Sequence, residues 1–175
     1  MSNEAIGLEE LFNYKTQLMK DVLSSEAIVK LLDDDCDPES LSDTKSLIYS
    51  QIFPFEFMPE PVEHGSTYIC CEVDIREVKS KTFLVPAIYI WVFSHTSLLR
   101  LPDGAGVRTD KLTSELVKIL NGNRFYGLGE LNLYSVRRFS PVPNYQGRVI
   151  VFYTKDFNRI SPTKMPVPAN RRNGV

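Results

Sequence analysis

Between Thr67 and Arg76 apolar and polar residues alternate: Ile69, Cys71, Val73 and Ile75 fall on one side, Cys70, Glu72, Asp74 and Arg76 on the other. Period-two alternation predicts a strand with one face buried and one wet. A polar bridge, Lys79-Ser80-Lys81-Thr82, leads into residues 83–93, which are apolar on both faces and rich in β-branched and aromatic residues. That is the pattern of a central, doubly covered strand. The two stretches together predict a β-hairpin whose second strand lies deep in a sheet.

Upstream, Leu8, Leu11, Phe12, Leu18, Met19, Val22 and Leu23 share a helical stripe interrupted only by Lys15. Apolar character returns at Ala27, Ile28, Leu31 and Leu32, as a continuation or as a second short helix after Ser24-Ser25. The acids between Asp33 and Asp37, followed by Pro38, end it, because acids are unfavourable at a helix C-terminus and proline disfavours helix in the residue before it. Residues 33–66 then read as a long irregular arm. Pro54, Pro59 and Pro61 exclude a central strand there, while Phe53, Phe55 and Phe57 project from one side of an extended chain. Such an aromatic comb must lie against the protein's own sheet or a neighbouring subunit.

Downstream, a loop spans 98–106, and a second helix follows with Thr109 or Asp110 as N-cap. Its apolar face is Leu112, Leu116, Val117, Ile119 and Leu120, and Asn121-Gly122 stops it. Strands are predicted over 129–138 and 148–156, joined by a turn around Pro141, Pro143 and Asn144. The expected fold is therefore α+β, a mainly antiparallel four-stranded sheet with helices packed on it, in the order α-ββ-α-ββ. A single domain would cover 1–157, including the arm, and 158–175 would form an extended basic tail. The shared core is expected from Ile69, Cys71, Val73, Ile75, Ile90, Val92, Leu112, Leu116 and Leu120.

A length of 175 residues, 43% of them hydrophobic, suits one domain with a proper core. No apolar run approaches the ~18 residues of a membrane span, and no basic-then-apolar leader opens the chain, so a soluble, unsecreted protein is expected. The three cysteines are odd in number, and neighbours Cys70 and Cys71 face opposite ways, which favours a reducing compartment over a disulfide framework. The net charge of -2 hides an asymmetry: residues 1–63 hold 14 acids against 4 bases, and residues 64–175 hold 8 acids against 16 bases. Such a split reads either as a solvated acidic arm beside a basic body or as the two complementary faces of a head-to-tail assembly. Proline and charge deny the arm and the tail regular structure, and ordering them costs ~1–2 kcal/mol per residue. Both are expected to settle against a partner rather than within their own subunit, the tail being mobile until then.

Candidate chemistry is sparse. His64, His95 and the cysteines lack metal-ligand spacing, and the 33–37 acids lack the glycine turn and terminal glutamate of a calcium loop. Gly104-Ala105-Gly106 and Gly127-Leu128-Gly129 lack the further residues of a phosphate cradle. Ser94 and His95 are strand neighbours facing opposite ways, His95 reading as a rim residue, and Cys71 reads as core filler. Glu72 and Asp74 share a face with Arg76 and mark a wet sheet face or a subunit interface. Arg137, Arg138 and Arg148, with Arg171 and Arg172 in the tail and Tyr134, Phe139 and Tyr145 as stacking faces, suggest loose contact with nucleic acid. The pI of 5.7 argues against dedicated sequence-specific binding.

The element order, with the strings Thr67-Tyr68-Ile69-Cys70-Cys71-Glu72-Val73-Asp74, Ile88-Tyr89-Ile90-Trp91-Val92-Phe93-Ser94-His95 and Val107-Arg108-Thr109-Asp110, resembles the tail-terminator family of tailed bacteriophages (tail-completion, head–tail joining or neck proteins). The connection Asn121-Gly122-Asn123-Arg124-Phe125-Tyr126-Gly127-Leu128-Gly129 is similar too, and the likeness covers about residues 45–157. The acidic arm and basic tail depart from that compact pattern. The resemblance implies a non-enzymatic virion protein, assembled in the host cytoplasm and located in the tail or neck. It would form a homohexameric ring that caps the tail tube and docks it to the head connector or stopper, with DNA passing through the lumen. No cofactor and no membrane partner is implied. The ring interface would be expected from Phe53, Phe55, Phe57, Lys79, Lys81, Leu98, Leu99, Arg100, Asp103, Arg159, Arg171 and Arg172. A small α+β binding module contacting nucleic acid is the competing expectation, and an enzyme of unknown class the third.

Overall fold

The computed structural model describes residues 6–62, 64–78, 83–126, 129–154 and 158–159. The first helical stripe forms α1 (Ile6–Leu23), and a separate helix α2 (Glu26–Leu32) follows the Ser24-Ser25 break. Asp33 C-caps α2, where the acids were expected to stop it. The arm is less irregular than its prolines suggest. It holds α3 (Leu41–Ser46), N-capped by the Ser40 side chain, and the two-residue strand β1 (Ile52–Phe53). The predicted hairpin is β2 (Thr67–Val78) and β3 (Phe83–His95), with its bridge 79–82 outside the described residues. Helix α4 (Arg108–Leu120), β4 (Leu131–Phe139), β5 (Tyr145–Thr154) and β6 (Asn158–Arg159) complete the chain.

The sheet order is β1-β2-β3-β5-β4, with β6 pairing the start of β3. β1 runs parallel to β2, and the other pairings are antiparallel. Because β5 lies between β3 and β4, the chain leaving β3 crosses over through α4 to the far edge and returns as the β4–β5 hairpin. Asn144, at φ 68, makes the turn of that hairpin. The fold is thus α+β as expected, with six strands among the described residues rather than four. The additions are β1 and β6, each two residues long and set by pairing partners remote in sequence.

Helices α1, α2 and α4 cover one sheet face. Leu18, Val22, Ile28, Leu112, Leu116 and Leu120 pack there against Ile69, Cys71, Ile90 and Val92. Ile75 departs from the expected core. A bulge between Ile75 and Glu77 breaks the alternation, and Ile75 is left 38% exposed. The α4 N-cap also differs from the expected Thr109 or Asp110. Val107 takes the position, because loop backbone supplies the partner: the Arg108 amide donates to Leu99 O at 2.8 Å. Asn121 and Gly122, at φ 83, end the helix as expected.

On the opposite face a second cluster joins Phe53, Cys70, Phe93 and Tyr145, with Phe57, Tyr68, Trp91, Phe139 and Val142 against it. Here the expectation that the arm packs outside its own subunit fails. Phe53 is only 6% exposed, and its ring stacks on Phe57 with centroids 4.1 Å apart. The Ile69 amide donates to Gln51 O at 2.8 Å, so the arm is tied to β2 by backbone as well as by rings. Burial of aromatic area offsets the ordering cost locally, and Cys70 lies under the arm instead of on a wet face.

Candidate functional site

With helices on one face and the arm over one end of the other, part of the sheet stays open. Strand alternation puts Tyr89 and Trp91 of β3 beside Val149, Val151 and Tyr153 of β5 on this open area, all half-buried. Tyr134 of β4, 55% exposed, meets Tyr153 at 4.7 Å, and the Arg76 guanidinium lies 4.3 Å from the Tyr153 ring centroid. Leu133 and Val136 of β4 are exposed as well, so the edge strand shows apolar side chains on both faces. Both edges are partly guarded: on β4 the Leu133 amide donates to Asn121 Oδ1 at 2.8 Å, and β2 is capped where it runs on past β1. The Val73 amide donates to the Glu72 carboxylate at 3.0 Å, and Lys15 pairs with the same carboxylate.

The residues expected at a subunit interface do not form one patch. Phe53 is interior, Phe57 is half-buried against Tyr68, and Phe55 is the exposed member at 44%. Leu98 and Leu99 are half-buried around a 3-10 turn (Thr96–Leu98), and Arg100 is exposed, its backbone bridging Val107. Asp103 lies within a second 3-10 turn (Pro102–Gly104), and Arg159 within β6, where it pairs with Phe83. The start of the basic tail therefore joins its own sheet. Lys79, Lys81, Arg171 and Arg172 lie outside the described residues.

What sequence reasoning missed is a cleft of about 350 Å³ at the start of α4, where Arg100, Arg138 and Arg148 converge beside Thr109, Asp110 and Gln146. The pairing of Arg138 with Arg148 follows from hairpin register, as anticipated, but nothing in the pattern placed the loop residue Arg100 beside them. Arg148 Nε donates to Asp110 Oδ1 at 2.9 Å, and the guanidiniums of Arg100 and Arg138 have no partner among the described residues. Arg137 pairs across with Val149 and so points to the open sheet face instead. Of the proposed stacking faces, Tyr145 is buried and Phe139 half-buried, which leaves Tyr134. A larger apolar groove of about 620 Å³ runs between α1 and α3, with Met19, Leu23 and Ile48 in its lining and Lys20 and Lys45 at its rim.

The remaining reactive groups are structural in geometry. His95 is 4% exposed rather than at the rim: Nδ1 lies 2.7 Å from Ser97 Oγ and Nε2 3.1 Å from Val62 O, so the imidazole pins the end of the arm to the end of β3. Ser94 Oγ pairs with Thr67 Oγ1 at 2.9 Å, on the other side of the strand. Cys36, Cys70 and Cys71 are free and buried. Burial pushes the Cys70 thiol up to about 11 and the Cys71 thiol further, so both stay protonated at neutral pH. The Tyr126 hydroxyl donates to Asp21 Oδ2 at 2.5 Å, and burial with this bond raises its pKa. Among the described residues no three His, Cys, Asp or Glu side chains gather as a metal site, and no helix is long and apolar enough to cross a membrane.

No curated protein matches the chain. A protein-family profile does, over residues 25–154, from α2 to the end of β5, which spans both sheet faces and the arginine cleft. The family carries a phage-like gene name and so indicates a phage-associated protein. With most of its length matched, the chain belongs to the YomW family.

Proposed function

We propose that this protein is a non-enzymatic structural component of a phage virion. In this reading it is a ring-forming tail terminator or neck subunit that caps the tail tube and joins it to the head connector, with DNA passing through the lumen. Membership of a phage-type family supports the setting, and the order of the longer elements, α1, β2-β3, α4, β4-β5, supports the kind of subunit. The observation that carries the proposal is the edge strand β4. Leu133, Tyr134 and Val136 are exposed on its two faces, and the apolar exposure continues through Tyr153 and Trp91 onto the open sheet. Apolar side chains exposed on both faces of an edge strand and running into a half-covered sheet face form a surface that assembly would bury. Closed heterologous contact between such surfaces generates a ring.

The test is genetic and structural together. A phage lacking this gene should accumulate filled heads and separate tails, and added purified protein should join them. Electron microscopy should find the protein as a ring at the head-proximal end of the tail tube. Normal joined virions without the gene product would overturn the proposal.

A further inference from the structure

Two oppositely charged surfaces flank the first turn of α4. Arg108 faces one way: its buried guanidinium donates to Leu31 O at 2.6 Å, Leu98 O at 3.0 Å and Asp34 Oδ2 at 3.2 Å. It thereby fixes the acidic turn that follows α2 against one flank of the helix. Asp110, two residues on, holds Arg148 of the arginine cleft. At 3.6 residues per turn, two positions are roughly 200° apart, so turn and cleft lie on opposite flanks of one helix.

Both surfaces carry unspent charge. In the turn, Asp33 Oδ1 accepts from the Asp35 amide and Asp37 Oδ1 from the Glu39 amide, each at 3.0 Å, and Asp34 is held by Arg108. The exposed Asp35 carboxylate has no partner among the described residues. In the cleft, Arg148 is neutralised by Asp110, whereas Arg100 and Arg138 are unmatched. The turn cannot fill its own subunit's cleft, because α4 stands between them.

We propose that the cleft of Arg100 and Arg138 receives the acidic turn around Asp35 of a second copy of this chain, as the head-to-tail contact between neighbouring subunits. The proposal deepens the ring reading and rests on it. Surfaces on opposite flanks of one subunit, complementary to each other and not to themselves, repeat from copy to copy instead of stopping at a two-fold pair. The alternative occupant, a nucleic-acid phosphate, is disfavoured by the Asp110 carboxylate within the cleft, which already holds Arg148.

Sedimentation of the full chain at low and high ionic strength tests the contact. Wild-type protein should associate at low salt and dissociate as salt rises. Asp35→Arg and the double variant Arg100→Glu/Arg138→Glu should each raise the association Kd at least tenfold, keeping wild-type circular dichroism. Mixing the two variants should restore association, since each supplies the complement of the other's reversed surface. Association unchanged by either variant, or a wild type monomeric at every concentration and salt, would overturn the contact. So would loss of binding to a labelled DNA duplex in the double variant with association unaltered. Rings that ignore the reversals would leave the ring reading standing without this interface. Reversal-sensitive association that never closes would keep the interface and remove the ring.

Discussion

At Gly147 the sheet has no room for a side chain. A β-carbon there would overlap the Val92 carbonyl oxygen and Phe93 Cα, both backbone atoms that cannot step aside. Gly147→Ala should therefore cost at least about 1–3 kcal/mol, read as a lower Tm, and an unchanged Tm would show that β3 and β5 separate easily. A second residue-scale consequence concerns alkali. Burial raises the Cys70 thiol from 9.0 to about 11 and the Cys71 thiol beyond it. Above about pH 9 the unfolded chain releases protons that the folded protein still holds. The stability contributed by these thiols is full below that pH and is lost as pH climbs through the folded values. Between about pH 8 and pH 10, Tm should fall more for the native protein than for Cys70→Ala/Cys71→Ala. An equal fall in both would assign the alkaline sensitivity elsewhere. The burial of Cys71 was legible from strand alternation. That of Cys70 was not, because only the returning arm decides that its face is dry.

Among the elements, α4 organises the rest. Leu112, Leu116 and Leu120 are fully buried, as their spacing predicted, and Leu116→Ala should cost ~2–5 kcal/mol in denaturant unfolding. Unchanged unfolding would mean that α4 is not anchored by its apolar stripe. Arg108 ties the same helix to α2 and to the loop after β3, a role invisible in sequence because two of its partners are backbone carbonyls 77 and 10 residues away and the third is Asp34, 74 residues away. Arg108→Met strands the Leu31 and Leu98 carbonyls and should cost about 1–3 kcal/mol. Amide exchange should quicken around residues 31–37 and 98–101 first, and uniform acceleration would instead mean that the whole core depends on this arginine. The arm shows the limit of reading elements by propensity. Pro54, Pro59 and Pro61 exclude a long strand, but two residues of β1 suffice to dock Phe53, and the stacked rings hold what backbone pairing does not.

For the whole molecule, the single tryptophan reports on assembly. Trp91 lies half-buried on the open sheet face, between the arm's aromatic cluster and Tyr89. If that face is covered in a ring, Trp91 emission should shift to the blue and acrylamide quenching should weaken on assembly. Unchanged emission from assembled particles would mean that subunits meet elsewhere. The sequence by itself determined the α+β class, the hairpin, the two long amphipathic helices and the charge split, because periodicity and composition are properties of neighbouring residues. Only the tertiary structure decided that the arm packs on its own sheet, that His95 is buried, that Ile75 is left out of the core and that Arg100 joins Arg138 and Arg148. Each of those outcomes depends on which distant segments meet, and a chain's local pattern carries no record of the partner its far end will find.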